Sequence, residues 1–83
     1  MQVVREDPRN AILVLHELAD IYLTEGDEKD ALRIAYQIML LNPNQKIVEA
    51  EAWDYLASWY YGHNREPDGY RCEVNAINLG LKR

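Results

Sequence analysis

The sequence predicts an all-α fold in which four helices form two antiparallel helical hairpins. Apolar side chains recur at the three- and four-residue spacings of a helix face, and short segments rich in Gly, Pro, Asn or Asp interrupt them. The second half of the chain also resembles the first at an offset of 38 positions, which places Leu18 on Leu56 and Tyr22 on Tyr60. We expect one domain over residues 1–83, with units at about 9–43 and 47–81.

The first unit begins at Asp7-Pro8, where aspartate can cap free N–H groups and proline fits the first helical turn. Residues 11–23 then place their apolar side chains on one helix face. Gly26 suits the left-handed backbone conformation that ends many helices. A second helix is expected over residues 28–41, and the proline within residues 42–44 should stop it.

The second unit repeats this plan, with a helix over residues 47–61, a connection over 62–66 and a last helix from residue 67 or 68 to Leu81. The last helix has apolar side chains on two sides, although a terminal helix of a two-unit core needs only one. We therefore predict self-association as a homo-oligomer. The predicted assembly interface consists of Trp59, Tyr70, Val74, Ile77 and Leu81.

Composition argues against several classes of function. Nine basic and fourteen acidic side chains give a net charge of -5, which disfavours nucleic acids and anionic membranes as partners. No apolar stretch approaches the roughly 20 residues of a membrane span. The single cysteine and an N-terminus without the apolar segment of a signal peptide predict a reducing, cytoplasmic location. Without a glycine-rich phosphate loop, no cofactor is expected.

Both units carry related motifs. The first contains Leu15-x2-Leu18-Ala19-x2-Tyr22, followed by Gly26-Asp27, Ala31-x3-Ala35 and Pro43, and the second contains Trp53-x2-Leu56-Ala57-x2-Tyr60. These motifs resemble the tetratricopeptide repeat (TPR) family, whose repeat of about 34 residues reads W-x2-L-G-x2-Y, A-x3-F and P. The resemblance implies hairpins stacked as a short right-handed α-solenoid. It also implies a non-catalytic protein–protein interaction module whose first helices line a concave groove.

The resemblance implies that the first helices line the groove, and helical geometry places it opposite their apolar stripes, with Leu23 and Tyr61 at its edges. The predicted groove residues are His16, Asp20, Glu51, Asp54, Tyr55, Ser58 and Tyr61. Residues 11–24 and 47–61 include acids and aromatics but no Lys or Arg, so we expect a protein or peptide partner that carries Lys or Arg. Alternatively, this is a solvated acidic face. The chain would then be a structural self-assembling subunit, or a fragment of a longer TPR array that oligomerises through its last helix.

Catalytic and metal-binding interpretations have weaker support, and no catalytic residue is predicted. Residues 16–20, His-Glu-Leu-Ala-Asp, imitate the start of the zinc motif H-E-x-x-H, but the second histidine is missing. His16 and Asp20 supply only two ligands, so we expect no metal site; a metal-dependent hydrolase built on His16, Glu17 and Asp20 is kept as an alternative. Cys72 lacks an oxyanion-stabilising loop and is predicted to be a half-buried structural thiol. The protein is not expected to be an enzyme.

Overall fold

A computed structural model describes the backbone of residues 8–41 and 47–81 and the side chains from Asn10 onward within those ranges. These ranges contain four helices and no strand, which confirms the predicted all-α class. The helices are α1 (Pro8–Thr24), α2 (Glu28–Leu40), α3 (Val48–Gly62) and α4 (Glu66–Asn78). The predicted cap at Asp7 and the predicted stop at residues 42–44 lie outside the described residues.

The helix bounds recur at the spacing that superposes the two halves of the sequence. Helices α2 and α4 begin and end 38 positions apart, and α1 and α3 end 38 positions apart. Short connections over 25–27 and 63–65 join helices that pack on each other, as in a helical hairpin. Helix α2 also packs on α3, which holds the two helix pairs together in a body of 48 × 29 × 18 Å.

Two positions after the last residue of α1, α3 and α4, the backbone has a positive φ, at Gly26 (83°), Asn64 (61°) and Gly80 (116°). In each case the N–H of the next residue donates to a carbonyl of the last helical turn at 2.8 to 3.0 Å, which closes the helix end. The predicted left-handed conformation of Gly26 is confirmed. The predicted extension of the last helix to Leu81 is wrong, because the backbone reverses at Gly80 and the helix ends at Asn78.

The core consists mainly of small side chains, which let the helices approach closely. Alanines are buried in all four helices, and Leu23, Leu56 and Cys72 are the largest side chains that are fully buried. Leu23 was predicted at the groove edge, and this is wrong. It lies one turn beyond the buried Ala19, and this spacing places it on the same face of α1, in the core.

Cys72 is more deeply buried than the sequence predicts. Its side chain points from α4 into the protein core, and no part of the residue is exposed. Burial disfavours the charged thiolate and raises the pKa of Cys72 to about 11. The folded protein therefore keeps this thiol protonated at neutral pH.

Candidate protein-binding surfaces

Two side-chain pairs join α1 to α3 on the face where the groove is predicted. His16 Nδ1 and the Tyr55 hydroxyl form a hydrogen bond of 2.7 Å, and their ring centroids are 5.3 Å apart. One turn further along both helices, Trp59 Nε1 donates to Asp20 Oδ1 at 2.8 Å. Because each helix contributes two residues at i, i+4 spacing, the pairs form successive links between the helices. Three predicted groove residues, His16, Asp20 and Tyr55, are thus brought together.

Trp59 belongs to this face as well as to the predicted assembly interface. Its indole is partly buried against the core, donates to Asp20, and stacks on the His63 ring at a centroid distance of 3.8 Å. The hydrogen bond with Asp20 could not be predicted from sequence, because it depends on the rotation of α3 against α1. The two predicted surfaces therefore meet at Asp20 and Trp59.

The α1–α3 face is acidic. Asp20 is exposed on α1, and Glu51, Asp54 and exposed Ser58 share one face of α3 at three-, four- and seven-residue spacings. Burial, together with the nearby Asp20 charge, raises the pKa of Tyr55, so its phenol stays neutral. The face presents carboxylates and neutral aromatic groups to solvent.

Tyr61 lies apart from these residues. Its hydroxyl donates to Glu73 Oε1 at 2.7 Å, and its ring covers Gly69 of α4. The hydrogen bond to the Glu73 carboxylate raises the pKa of Tyr61 to about 12. The structure thus places this predicted groove residue on the contact between α3 and α4, away from His16 and Tyr55.

Helix α4 is apolar on two sides, as the sequence predicts. Gly69, Cys72 and Ala76 are buried against α3. On the outer side, Tyr70 is 65% exposed and Ile77 is 43% exposed, with half-buried Val74 between them. We call Tyr70, Val74 and Ile77 the α4 outer stripe. Leu81 was predicted to continue this stripe, but it lies beyond the helix end.

Helix α1 also exposes an apolar stripe, which the sequence pattern did not predict. Val14 is 54% exposed and Ile21 is 50% exposed, and the partly buried Leu18 lies between them. These three residues, the α1 outer stripe, have the i, i+4, i+7 spacing of one helix face. The spacing is visible in the sequence, but Leu18 also fits the inner stripe that contains Leu15 and Tyr22, and this overlap concealed the outer one.

A three-helix junction forms where α2 meets α3 and α4; it consists of Glu28, Tyr60, Asp68 and Arg71. Both terminal nitrogens of Arg71 donate to the Glu28 carboxylate, at 2.9 and 2.6 Å, and the Tyr60 hydroxyl donates to it at 2.7 Å. Arg71 also donates to Asp68 at 3.1 Å. The Arg71 hydrogen bonds hold the pKa of Glu28 below its ordinary value, and burial is the main cause that raises the pKa of Tyr60 to about 12.

A cleft of about 440 Å³ opens beside the contact between α2 and α3. Its walls are Lys29, Leu32, Arg33 and Tyr36 from α2 and Glu49 and Ala52 from α3. Arg33 forms an ion pair with Asp30, one turn earlier on the same helix. The cleft therefore has apolar walls and a charged rim.

The predicted zinc-like segment is engaged in other contacts, since His16 pairs with Tyr55 and Asp20 accepts from Trp59. Across residues 10–41 and 47–81, no group of three or more His, Cys, Asp and Glu side chains is arranged to hold a metal ion. None of the four described helices combines the length and the hydropathy needed to cross a bilayer. In comparisons with known proteins, no family model, no curated protein and no solved structure matches this chain.

Proposed function

We propose that this protein is a non-catalytic, cytoplasmic interaction module that docks a basic peptide or helix of another protein on the α1–α3 face. In this proposal the two hairpins stack as a TPR-like right-handed α-solenoid, and α1 and α3 line its groove. The observation that carries the proposal is the acidic face around the two links between α1 and α3, His16 with Tyr55 and Asp20 with Trp59. Residues 11–24 and α3 contribute no Lys or Arg to it.

A Lys or Arg side chain of the partner would interact with the carboxylates and with the Tyr55 ring. Asp20 can take part although it already accepts from Trp59, because a carboxylate has two oxygens and about four lone-pair positions. The bond from Trp59 orients Asp20 before a ligand arrives, which lowers the entropic cost of binding. Attraction between exposed charges also makes the affinity depend on salt.

The experiment is calorimetric titration with a panel of peptides that have one length and differ in net charge. Basic peptides should bind, and their affinity should fall as salt is raised. Reversing two charges, Asp20→Lys with Asp54→Lys, should weaken binding by a few kcal/mol at low salt. An unchanged affinity after this reversal would remove the groove proposal.

A matched pair of single substitutions separates the local charge from the total charge. Asp20→Asn and Gln37→Lys each raise the net charge by one, but Gln37 is exposed on α2. Asn at position 20 keeps an acceptor for Trp59 and removes the carboxylate charge. Only Asp20→Asn should weaken the binding of a basic peptide, whereas equal effects of the two substitutions would point to nonspecific attraction.

The second candidate function is structural self-assembly, and the exposed α4 outer stripe supports it. Monomeric soluble proteins usually leave apolar side chains scattered, and a continuous stripe is typical of a contact surface. Light scattering behind size exclusion, over a wide concentration range, measures the mass directly. A molar mass that stays at 9.7 kDa throughout would remove this function.

A further inference from the structure

We infer that the α4 outer stripe binds the α1 outer stripe of a second copy of this chain, in a head-to-tail contact that repeats the packing of α2 on α3. The inference rests on the proposed self-assembly and specifies its geometry. A second copy fits these surfaces because they correspond by position to the two sides of a contact that already exists inside the chain.

The internal contact has an α2 side and an α3 side. Leu32 and Met39 of α2 pack against the core, and Leu32 and Tyr36 border the cleft opposite Ala52. From α3, Ala52 and Leu56 contribute fully buried side chains. The contact therefore has Leu32, Tyr36 and Met39 on the α2 side and Ala52 and Leu56 on the α3 side.

Residues 38 positions apart correspond in the two halves of the chain, so both sides of this contact have counterparts on the outer helices α1 and α4. On the α4 outer stripe, Tyr70 corresponds to Leu32 of α2, Val74 to Tyr36, and Ile77 to Met39. On the α1 outer stripe, Val14 corresponds to Ala52 and Leu18 to Leu56. Ile21 corresponds to Trp59, which packs against the same core and donates to Asp20 of α1. Apolar side chains occupy all six outer positions.

Val14 and Ile21 of the α1 outer stripe and Tyr70 and Ile77 of the α4 outer stripe are about half open to solvent. A second copy supplies the missing half of each contact. The two stripes differ from each other, so the contact is heterologous and has no two-fold axis. Copies joined in this way add at both ends, and the mean mass grows with concentration.

The test uses two double variants and light scattering. The first, Tyr70→Gln with Ile77→Gln, disables the α4 outer stripe, and the second, Val14→Gln with Ile21→Gln, disables the α1 outer stripe. Each variant alone should be a monomer, because every head-to-tail contact needs both stripes. An equimolar mixture should form a one-to-one dimer that grows no further, since each variant keeps one intact stripe. The wild-type protein should grow beyond a dimer.

The matched control is Leu13→Gln, because Leu13 is exposed on α1 but lies off the outer stripe. This variant should associate as the wild type does. Gln is a good helix former, and circular dichroism checks that each variant is folded. If a double variant unfolds, the single substitutions Ile21→Gln and Ile77→Gln replace it, and each should lower the mass at a given concentration.

The outcomes test the head-to-tail contact separately from self-assembly. If the Val14 and Ile21 variant associates as strongly as the wild type, α4 binds another α4, and the head-to-tail inference is wrong although self-assembly stands. If the wild type is a monomer at every concentration, both are wrong. A mixture of the two variants that stays monomeric also overturns the inference.

Discussion

Glu28 shows how one residue connects three helices. Its carboxylate belongs to the first turn of α2 and accepts hydrogen bonds from Tyr60 of α3 and Arg71 of α4. The fork of Arg71 holds the carboxylate through two nitrogens, a geometry that makes charge-assisted hydrogen bonds stronger. Arg71 is nearly half exposed, however, so solvent screens part of this interaction.

The protonation of Glu28 predicts how stability depends on pH. Its pKa is lowered in the folded state, so the stability it contributes is present above the unfolded-state pKa and is lost as pH falls through the folded-state pKa. Glu28→Gln should lower the free energy of unfolding at neutral pH by about 1 kcal/mol. The free energy of unfolding, measured with urea at pH values from neutral to below the ordinary carboxyl pKa of 4.5, should fall less for the variant than for the wild type.

Arg71→Gln provides the control for this prediction. If Glu28 and Arg71 act as a unit, this substitution reproduces the weaker pH dependence. The double variant then lowers the free energy of unfolding by less than the sum of the two single changes. Identical acid dependence in wild-type and Glu28→Gln proteins would mean that the ion pair contributes nothing in solution.

At the level of elements, Gly69 lets α3 and α4 approach closely. A Cβ at this position would lie 2.9 Å from the Cδ1 and Cε1 atoms of Tyr61, closer than packed carbon atoms approach. The Tyr61 ring would have to move, and its hydrogen bond to Glu73 constrains that movement. The glycine therefore serves the packing of a neighbouring aromatic ring.

The variant Gly69→Ala tests this contact. In an open helix the change would stabilise the protein by about 1 kcal/mol through helix propensity. Here displacement of Tyr61 should cancel or reverse that gain. In a Tyr61→Ala background the gain of about 1 kcal/mol should appear. Urea unfolding of the four proteins in this cycle measures the difference, and an equal effect of Gly69→Ala in both backgrounds would contradict the contact.

Much of the element structure was predictable, because it depends on local signals. The four helices follow the periodicity of the apolar residues, and Gly26 ends α1 as predicted. Position 64 has the same left-handed conformation in the second unit, where the 38-residue spacing would have pointed to Asn64. The early end of α4 was missed because Gly80 was assigned to the helix interior.

The side-chain contacts between helices were less predictable. A helical wheel gives the direction of each side chain but not the rotation of one helix against another. That rotation places the predicted groove residue Tyr61 over α4. It also pairs Asp20 with Trp59, which had been assigned to different surfaces. Peptide binding by the groove stays a prediction.

For the whole molecule, the three-helix junction couples the two helix pairs. It joins the start of α2 to α3 and α4, whereas α1 contacts α2 and reaches α3 through His16 and Asp20. Opening of α4 must therefore break contacts that also hold the first turn of α2. Such shared contacts make neighbouring helices open as one cooperative unit.

Hydrogen exchange of Arg71→Ala tests this coupling. Amides of α4 and the hydrogen-bonded amides of Asp30 and Ala31 at the start of α2 should exchange faster than in the wild type, by an amount corresponding to about 1 kcal/mol. The central amides of α1 should change less, because this helix contributes no residue to the hydrogen bonds of the junction. Uniform acceleration over all four helices would instead mean that the protein opens only by global unfolding.

The burial of Cys72 also determines how oxidation affects this protein. The chain has one cysteine, so any disulfide must join two molecules. In the folded state the sulfur is enclosed by the core, and the raised pKa leaves little thiolate to react. A covalent dimer on a non-reducing gel would therefore report molecules that had opened, and any association of folded molecules is noncovalent. In an oxidising buffer, the rate of covalent dimer formation then gives a measure of how often the core around α4 opens.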